Sequence, residues 1–181
     1  MDERQRAVCA AVDALAGEMV ETLQAFIQVP TVNPPGEAYE DFVALAKGLL
    51  DRLGYATEVV RVPNELLPVL APLGEGRPRP SLLARLSGPA GPGFRLHLNG
   101  HYDVVPAGHD WTRDPFGGEL VDGRVYGRGA CDMKSGLVAQ IYAVEALRRT
   151  GIAWAGEVTH SFVPDEETVG NRNAGTGFLV E

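Results

Sequence analysis

The stretch FRLHLNGHYD, residues 94–103, alternates apolar Phe94, Leu96 and Leu98 with polar neighbours and then runs into His101 and Asp103. Period-two alternation predicts a β-strand. This strand delivers an imidazole and a carboxylate at its carboxyl end. Two other stretches are built alike. GRGACDMKSG, residues 127–136, sets Asp132 in front of a helical pattern, and VTHSFVPDEE, residues 158–167, runs from an apolar strand into Asp165, Glu166 and Glu167. Open α/β sheets build their sites at the carboxyl ends of strands. Imidazole with several carboxylates and no thiolate pair suits Zn, Mn or Co in a hydrolytic site. The doubled acid Glu166-Glu167 lets one carboxylate bind metal while its neighbour stays free as a base.

Working outward, residues 2–28 carry Val8, Ala11, Val12, Leu15, Met19, Leu23, Phe26 and Ile27 at helical spacing, with Gly17 marking a break between two helices. Thr31–Gly36, TVNPPG, reads as a loop. Tyr39–Leu53 returns to helical period and Gly54 follows as a cap. Ala56–Val62 reads as a strand. Pro63–Pro80 holds five prolines in 18 residues and reads as a loop. Ser81–Leu86 and Phe94–Leu98 are strands around SGPAGPG. Gly117–Tyr126 predicts a hairpin turning at Asp122-Gly123. Met133–Arg149 is a helix, Glu157–Val163 a strand, and Thr176 starts a helix. Strands alternating with helices predict an α/β fold with a mixed, largely parallel twisted sheet covered by helices on both faces.

A chain of 181 residues can bury one good core and form one domain. A net charge of −8 with no Lys/Arg block argues against a nucleic-acid partner. The charged, amphipathic start MDERQRAVCAAVDALAG is unlike a signal peptide, and no apolar run reaches the ~18 residues of a membrane span. Two cysteines, Cys9 and Cys131, are too few for a disulfide framework and suit a reducing cytoplasm.

Single residues carry competing readings. His101 alone would be a surface histidine; with the other clusters it reads as a metal ligand. Asp103, two residues on, is spaced to hold the imidazole from behind, which fixes the tautomer and raises basicity. Asp132 reads equally as a plain N-cap or as a ligand, since a helix N-terminus favours a carboxylate either way. Glu166 and Glu167 read as an exposed acidic turn or as a cation site, because like charges at a strand end repel unless a cation is present. His97, His109 and His160 read as bystanders, and Cys131 as packing.

HYDVVPAG, GRGACDMKSG and VPDEETVG resemble the three N-terminal signatures of the M20 metallopeptidases. That clan includes acetylornithine deacetylases, succinyl-diaminopimelate desuccinylases, aminoacylases and carboxypeptidase G-type enzymes. The motifs occur in order, 31 residues apart from His101 to Asp132 and 35 from Asp132 to Glu167, and the resemblance runs from about Leu23 to the last residue. It implies a zinc-peptidase-like fold and two divalent ions, Zn2+ with Co2+ or Mn2+ as alternatives. It implies His101, Asp132 and Glu167 as metal ligands, with Asp132 bridging the ions, Glu166 as general base, Asp103 behind His101, and Asp165 in a supporting role. It also implies a cis peptide after Asp132. Ser135 stands where the family often has Gly, next to the ligand motif but not in it.

The implied reaction is metal-assisted amide hydrolysis of an N-acyl amino acid or short peptide with a free carboxylate, in a cytoplasmic homodimeric enzyme without membrane or nucleic-acid partners. Family members are about twice this length. Residues 1–181 are therefore expected to be the N-terminal part of a catalytic domain, with the dimerisation domain and the C-terminal catalytic part, including two further ligands, absent. The alternative is a non-catalytic fragment or association module with an incomplete metal site.

Overall fold

The computed structural model describes residues 1–168 and 173–180. Helix α1 (Glu3–Ala14) starts on a capping box in which the Asp2 carboxylate accepts from the Gln5 N–H and the Gln5 side chain accepts from the Asp2 N–H. Helix α2 (Ala16–Ile27) follows at once. The break falls at Leu15, which is fully buried, and not at Gly17, which lies inside α2. Burial of one large apolar side chain sets the corner here, not the flexibility of the glycine. Helix α3 (Tyr39–Arg52) ends at Gly54 with φ 84°, as the cap signal predicts.

The strands are β1 (Ala56–Arg61), β2 (Pro80–Ser87), β3 (Phe94–His101), β4 (Glu119–Val121), β5 (Arg124–Tyr126) and β6 (Gly156–Val163). The proline-rich segment carries a 3-10 turn, Asn64–Leu66, and a short helix α4 (Leu67–Leu70). The hairpin β4–β5 turns at Asp122 and Gly123, both with positive φ. Helices α5 (Lys134–Arg149) and α6 (Thr176–Val180) complete the described elements.

The main sheet has strand order β1-β2-β6-β3. It is mixed, as expected. However, β1–β2 and β2–β6 are antiparallel and only β3–β6 is parallel, so the expectation of a largely parallel sheet does not hold. The pattern of alternating strands and helices cannot distinguish these, because β1 returns to β2 through a loop with only one turn of helix instead of a full crossover.

Helices lie on both faces, as expected, though unevenly. Leu82, Ala84, Val158 and Phe162 share one core with α1, α2, α3 and α5. The residues between them, Leu83, Arg85, Thr159 and Ser161 with His97 and Asn99 of β3, form the other face, where α6 is the helix at hand among the described residues. That face is mostly polar, and its groups pair among themselves and with α6: His97 with Ser161, Ser161 with Asn99, and Asn99 with Thr176.

His160 is the polar exception on the core face and is fully buried. Its Nδ1 lies 3.0 Å from Gln140 Oε1 and its Nε2 3.2 Å from the Tyr55 hydroxyl. A neutral ring satisfies both, donating to Gln140 and accepting from Tyr55. Burial, with His97 nearby, pushes its pKa down to about 4. Unfolded histidine takes a proton near 6.5. Between these values the unfolded chain binds more protons, so stability falls as pH drops through that window, by roughly 3 kcal/mol at most. Urea unfolding of wild type and His160→Gln at pH 7 and pH 4.5 should show a smaller acid loss in the variant. Equal losses would refute the assignment.

Candidate metal centre

Strands β3 and β6 run parallel with His101 opposite Val163, so both deliver their following residues to one edge. The Tyr102 N–H continues the ladder by donating to the Val163 carbonyl at 3.0 Å. His101 therefore emerges beside the turn that carries Asp165, Glu166 and Glu167. Gly100 stands just before it: a Cβ there would lie 2.6 Å from Leu137 Cδ2, so a larger residue would make that α5 side chain shift.

Helix α5 brings the third group. Asp132 makes no N-cap; the cap position is Met133 and has no side-chain hydrogen bond. The Asp132 carboxylate instead lies 3.1 Å from His101 Nε2, and the peptide after it is cis, as the resemblance implies. Lys134 fixes the start of this helix. It is fully buried, and its Nζ donates to the carbonyls of Phe26 at 2.9 Å and Val29 at 2.7 Å, at the carboxyl end of α2 where a cation is favoured. Burial pushes its pKa down to about 7 against the pull of Asp103.

His101, Asp132 and Glu167 each offer one ligand atom, and these atoms lie within 4.8 Å of one another. Glu166 Oε2 lies 3.6 Å from His101 Nε2. The imidazole is 95% buried, while the side chains of Asp132 and Glu166 are 75% and 60% exposed, so the cluster opens to solvent on its carboxylate side. Burial opposes a charge on His101, yet the hydrogen bond and charge of Asp103, with Glu166 adding, raise its pKa to about 9. Glu167 is raised by burial and by Asp132, Asp103 and Glu166, against the pull of His101. An imidazole and two carboxylates converging in an excess of negative charge fit a divalent cation such as zinc.

Asp103 lies behind His101. His101 Nδ1 is 3.0 Å from the Asp103 backbone carbonyl and 3.4 Å from its carboxylate, so the carbonyl is the nearer acceptor. The carboxylate mainly serves the acidic turn, accepting from the N–H groups of Glu166 at 3.2 Å and Glu167 at 3.1 Å. Asn33, Tyr39 and Arg79 join the same network through Asp165 and were invisible in the sequence. Asn33 and Arg79 sit in proline-rich loops and Tyr39 at a helix start, none with a motif of its own. Cys131 is exposed, which corrects its reading as a packing residue. His97 lies on the other sheet face at 2.9 Å from Ser161 Oγ, and His160 is in the core, so neither reaches the cluster.

Fold and site together define an α/β protein with a histidine–carboxylate cluster able to take a metal ion at the carboxyl ends of a parallel strand pair. Residues 97–181 match the model of peptidase family M20/M25/M40. The chain is 38% identical over 156 residues to the succinyl-diaminopimelate desuccinylase of Rhodospirillum centenum, covering 84% of this chain and 36% of that one. It is 48% identical over 98 residues to the enzyme of the same name from Gluconacetobacter diazotrophicus, covering 53% of this chain and 25% of that one. Human carnosine dipeptidase 1 superposes with a TM-score of 0.69 at 27% identity, over 90% of this chain and 35% of that one. A di-peptidase from Saccharomyces cerevisiae shares the fold with a TM-score of 0.74 at 24% identity, over 90% of this chain and 35% of that one. The chain is thus similar to the M20/M25/M40 peptidase family over residues 97–181, and it spans between a quarter and about a third of the length of these relatives.

Proposed function

We propose that this chain is the metal-binding part of a hydrolase that cleaves the amide bond of an N-acyl amino acid or short peptide. The observation that carries the reading is the convergence of His101, Asp132 and Glu167 within 4.8 Å, with Glu166 beside them. Matches to desuccinylases and a dipeptidase support amide cleavage on small substrates. When bound, divalent metal supplies a water of lowered pKa and positive charge next to the scissile carbonyl. His101, Asp132 and Glu167 would hold it. Glu166 is the base: it takes the proton of the attacking water and returns it to the leaving amine. Asp103 orients the imidazole and the acidic turn.

A cleft of about 340 Å³ opens beside Glu167, walled by Pro34, Val69, Leu70, Pro72 and Leu73. It is the space next to the metal cluster in which an acyl chain or side chain fits. The activity belongs to a protein in which this unit is joined by the further segments its relatives carry, acting as a homodimer in a reducing cytoplasm. Three ligands hold one ion, so the unit alone should bind metal weakly and turn over little.

Calorimetric titration of the 181-residue chain with Zn2+ tests the site. His101→Ala should weaken binding at least 10-fold, as should Glu167→Gln, whereas Glu166→Gln should not. Wild-type affinity in the His101 variant would overturn the reading. So would tight uptake of two ions with full turnover by the chain alone, which would contradict its role as part of a larger site.

A further inference from the structure

Arg79 precedes β2 and is 99% buried, as is its partner Asp165, at 2.7 Å from Nε to Oδ2. The remaining guanidinium donors go to backbone: Nη1 to the carbonyls of Arg77 at 3.0 Å and Pro78 at 3.3 Å, and Nη2 to that of Pro35 at 2.8 Å. The group is closely caged. A Cβ at Gly36 would lie 2.6 Å from Nη1, and one at Gly74 would come closer still to Nη2; the Tyr39 ring lies under it with its centroid 5.1 Å away. So many fixed contacts on one buried cation tie three loops to one point.

From there the network leads to the metal cluster. Asp165 also accepts from the Tyr39 hydroxyl at 2.9 Å and from Asn33 Nδ2 at 3.0 Å. The same Asn33 nitrogen donates to Asp103 Oδ2 at 2.9 Å. Asp103 in turn receives the N–H groups of Glu166 and Glu167 and stands behind His101. Two buried carboxylates are thus joined through one amide, and Arg79 is the cation in contact with the first of them, Asp165. Asp165 also holds a left-handed φ of 62°, which a freely turning loop would abandon.

The geometry points to Arg79 as a positioning residue for the metal centre: through Asp165, Asn33 and Asp103 it sets the acidic turn so that Glu167 meets His101 and Glu166 faces the water. This rests on the metal-centre reading above. A lysine keeps the charge but cannot reproduce the forked donors. Partners one step behind ligands are typically worth 10- to 100-fold in metal affinity.

Two measurements on the 181-residue chain test it. Hydrogen exchange of the metal-free protein should show residues 165–168 exchanging about 10-fold faster in Arg79→Lys, with β6 protection unchanged. Co2+ titration, followed by visible absorption, should show ~10- to 100-fold weaker binding and an altered spectrum in Arg79→Lys. If that variant does not fold, Tyr39→Phe, which removes one donor to Asp165 and keeps the ring, should weaken Co2+ a few-fold. A folded Arg79→Lys with wild-type exchange, or with wild-type Co2+ affinity and spectrum, overturns the proposal. If wild type itself binds no Co2+ through His101, the metal-centre reading fails first; that outcome differs visibly from a wild type that binds and a variant that binds equally.

Discussion

Glu166→Gln is expected to lower turnover of the full-length enzyme by about 100- to 10,000-fold, the usual cost of removing a general base. Its carboxylate reaches within 3.6 Å of His101 Nε2 yet is 60% exposed, so it faces both the cluster and the solvent from which water comes. Gln keeps the length and the backbone N–H that donates to Asp103, so the turn should stay in place. The metal should stay too, because His101, Asp132 and Glu167 are untouched. Steady-state kinetics on an N-succinyl amino acid, with metal content measured on the same samples, separates the roles. Glu166→Gln should be metal-replete and slow, while Glu167→Gln should be metal-poor. Wild-type kcat in the Glu166 variant would remove it from the reaction.

Phe42→Ala should destabilise the chain by about 3–5 kcal/mol, in the range for deleting a fully buried aromatic side chain. Phe42 is completely buried in α3. Its ring stacks on Tyr102 at 4.8 Å, meets the edge of Phe26 at 4.9 Å and carries the Lys134 ammonium 5.4 Å from its centroid. The cavity would lie under the two residues that flank the site: Tyr102, between His101 and Asp103, and Lys134, just beyond Asp132. At roughly 2–4 °C per kcal/mol for a chain of this size, the melting temperature should fall by about 6–20 °C. Thermal unfolding by circular dichroism measures it; a shift of under 2 °C would mean that the core collapses around the gap. Metal affinity of the folded variant should also fall, since ligand spacing depends on that packing.

Most of the elements were legible in the sequence. The alternation in residues 94–98, the helical period of Tyr39–Leu53 and of Met133–Arg149, and the Asp122-Gly123 turn each correspond to an observed element within a few residues. These signals are local: periodicity reports which face is buried, and turn residues report a backbone conformation. Sheet direction was not legible. Strand pairing depends on which edges meet after the loops close, and β1 met β2 antiparallel through a loop that gave no sign of it.

The sequence by itself named the candidate residues of the site. Three motifs in fixed order supplied His101, Asp132 and Glu166-Glu167, because metal chemistry restricts ligands to a few residue types. Tertiary structure decided how they are held. The parallel register of β3 and β6 puts His101 and the acidic turn at one edge, and Asp132 arrives beside them at the head of α5. Arg79, Asn33 and Tyr39, separated from Asp165 by 86, 132 and 126 residues, complete the support. No spacing rule could announce them. A buried charge needs only a partner that is close in space, and the folded chain chooses that partner from anywhere along its length.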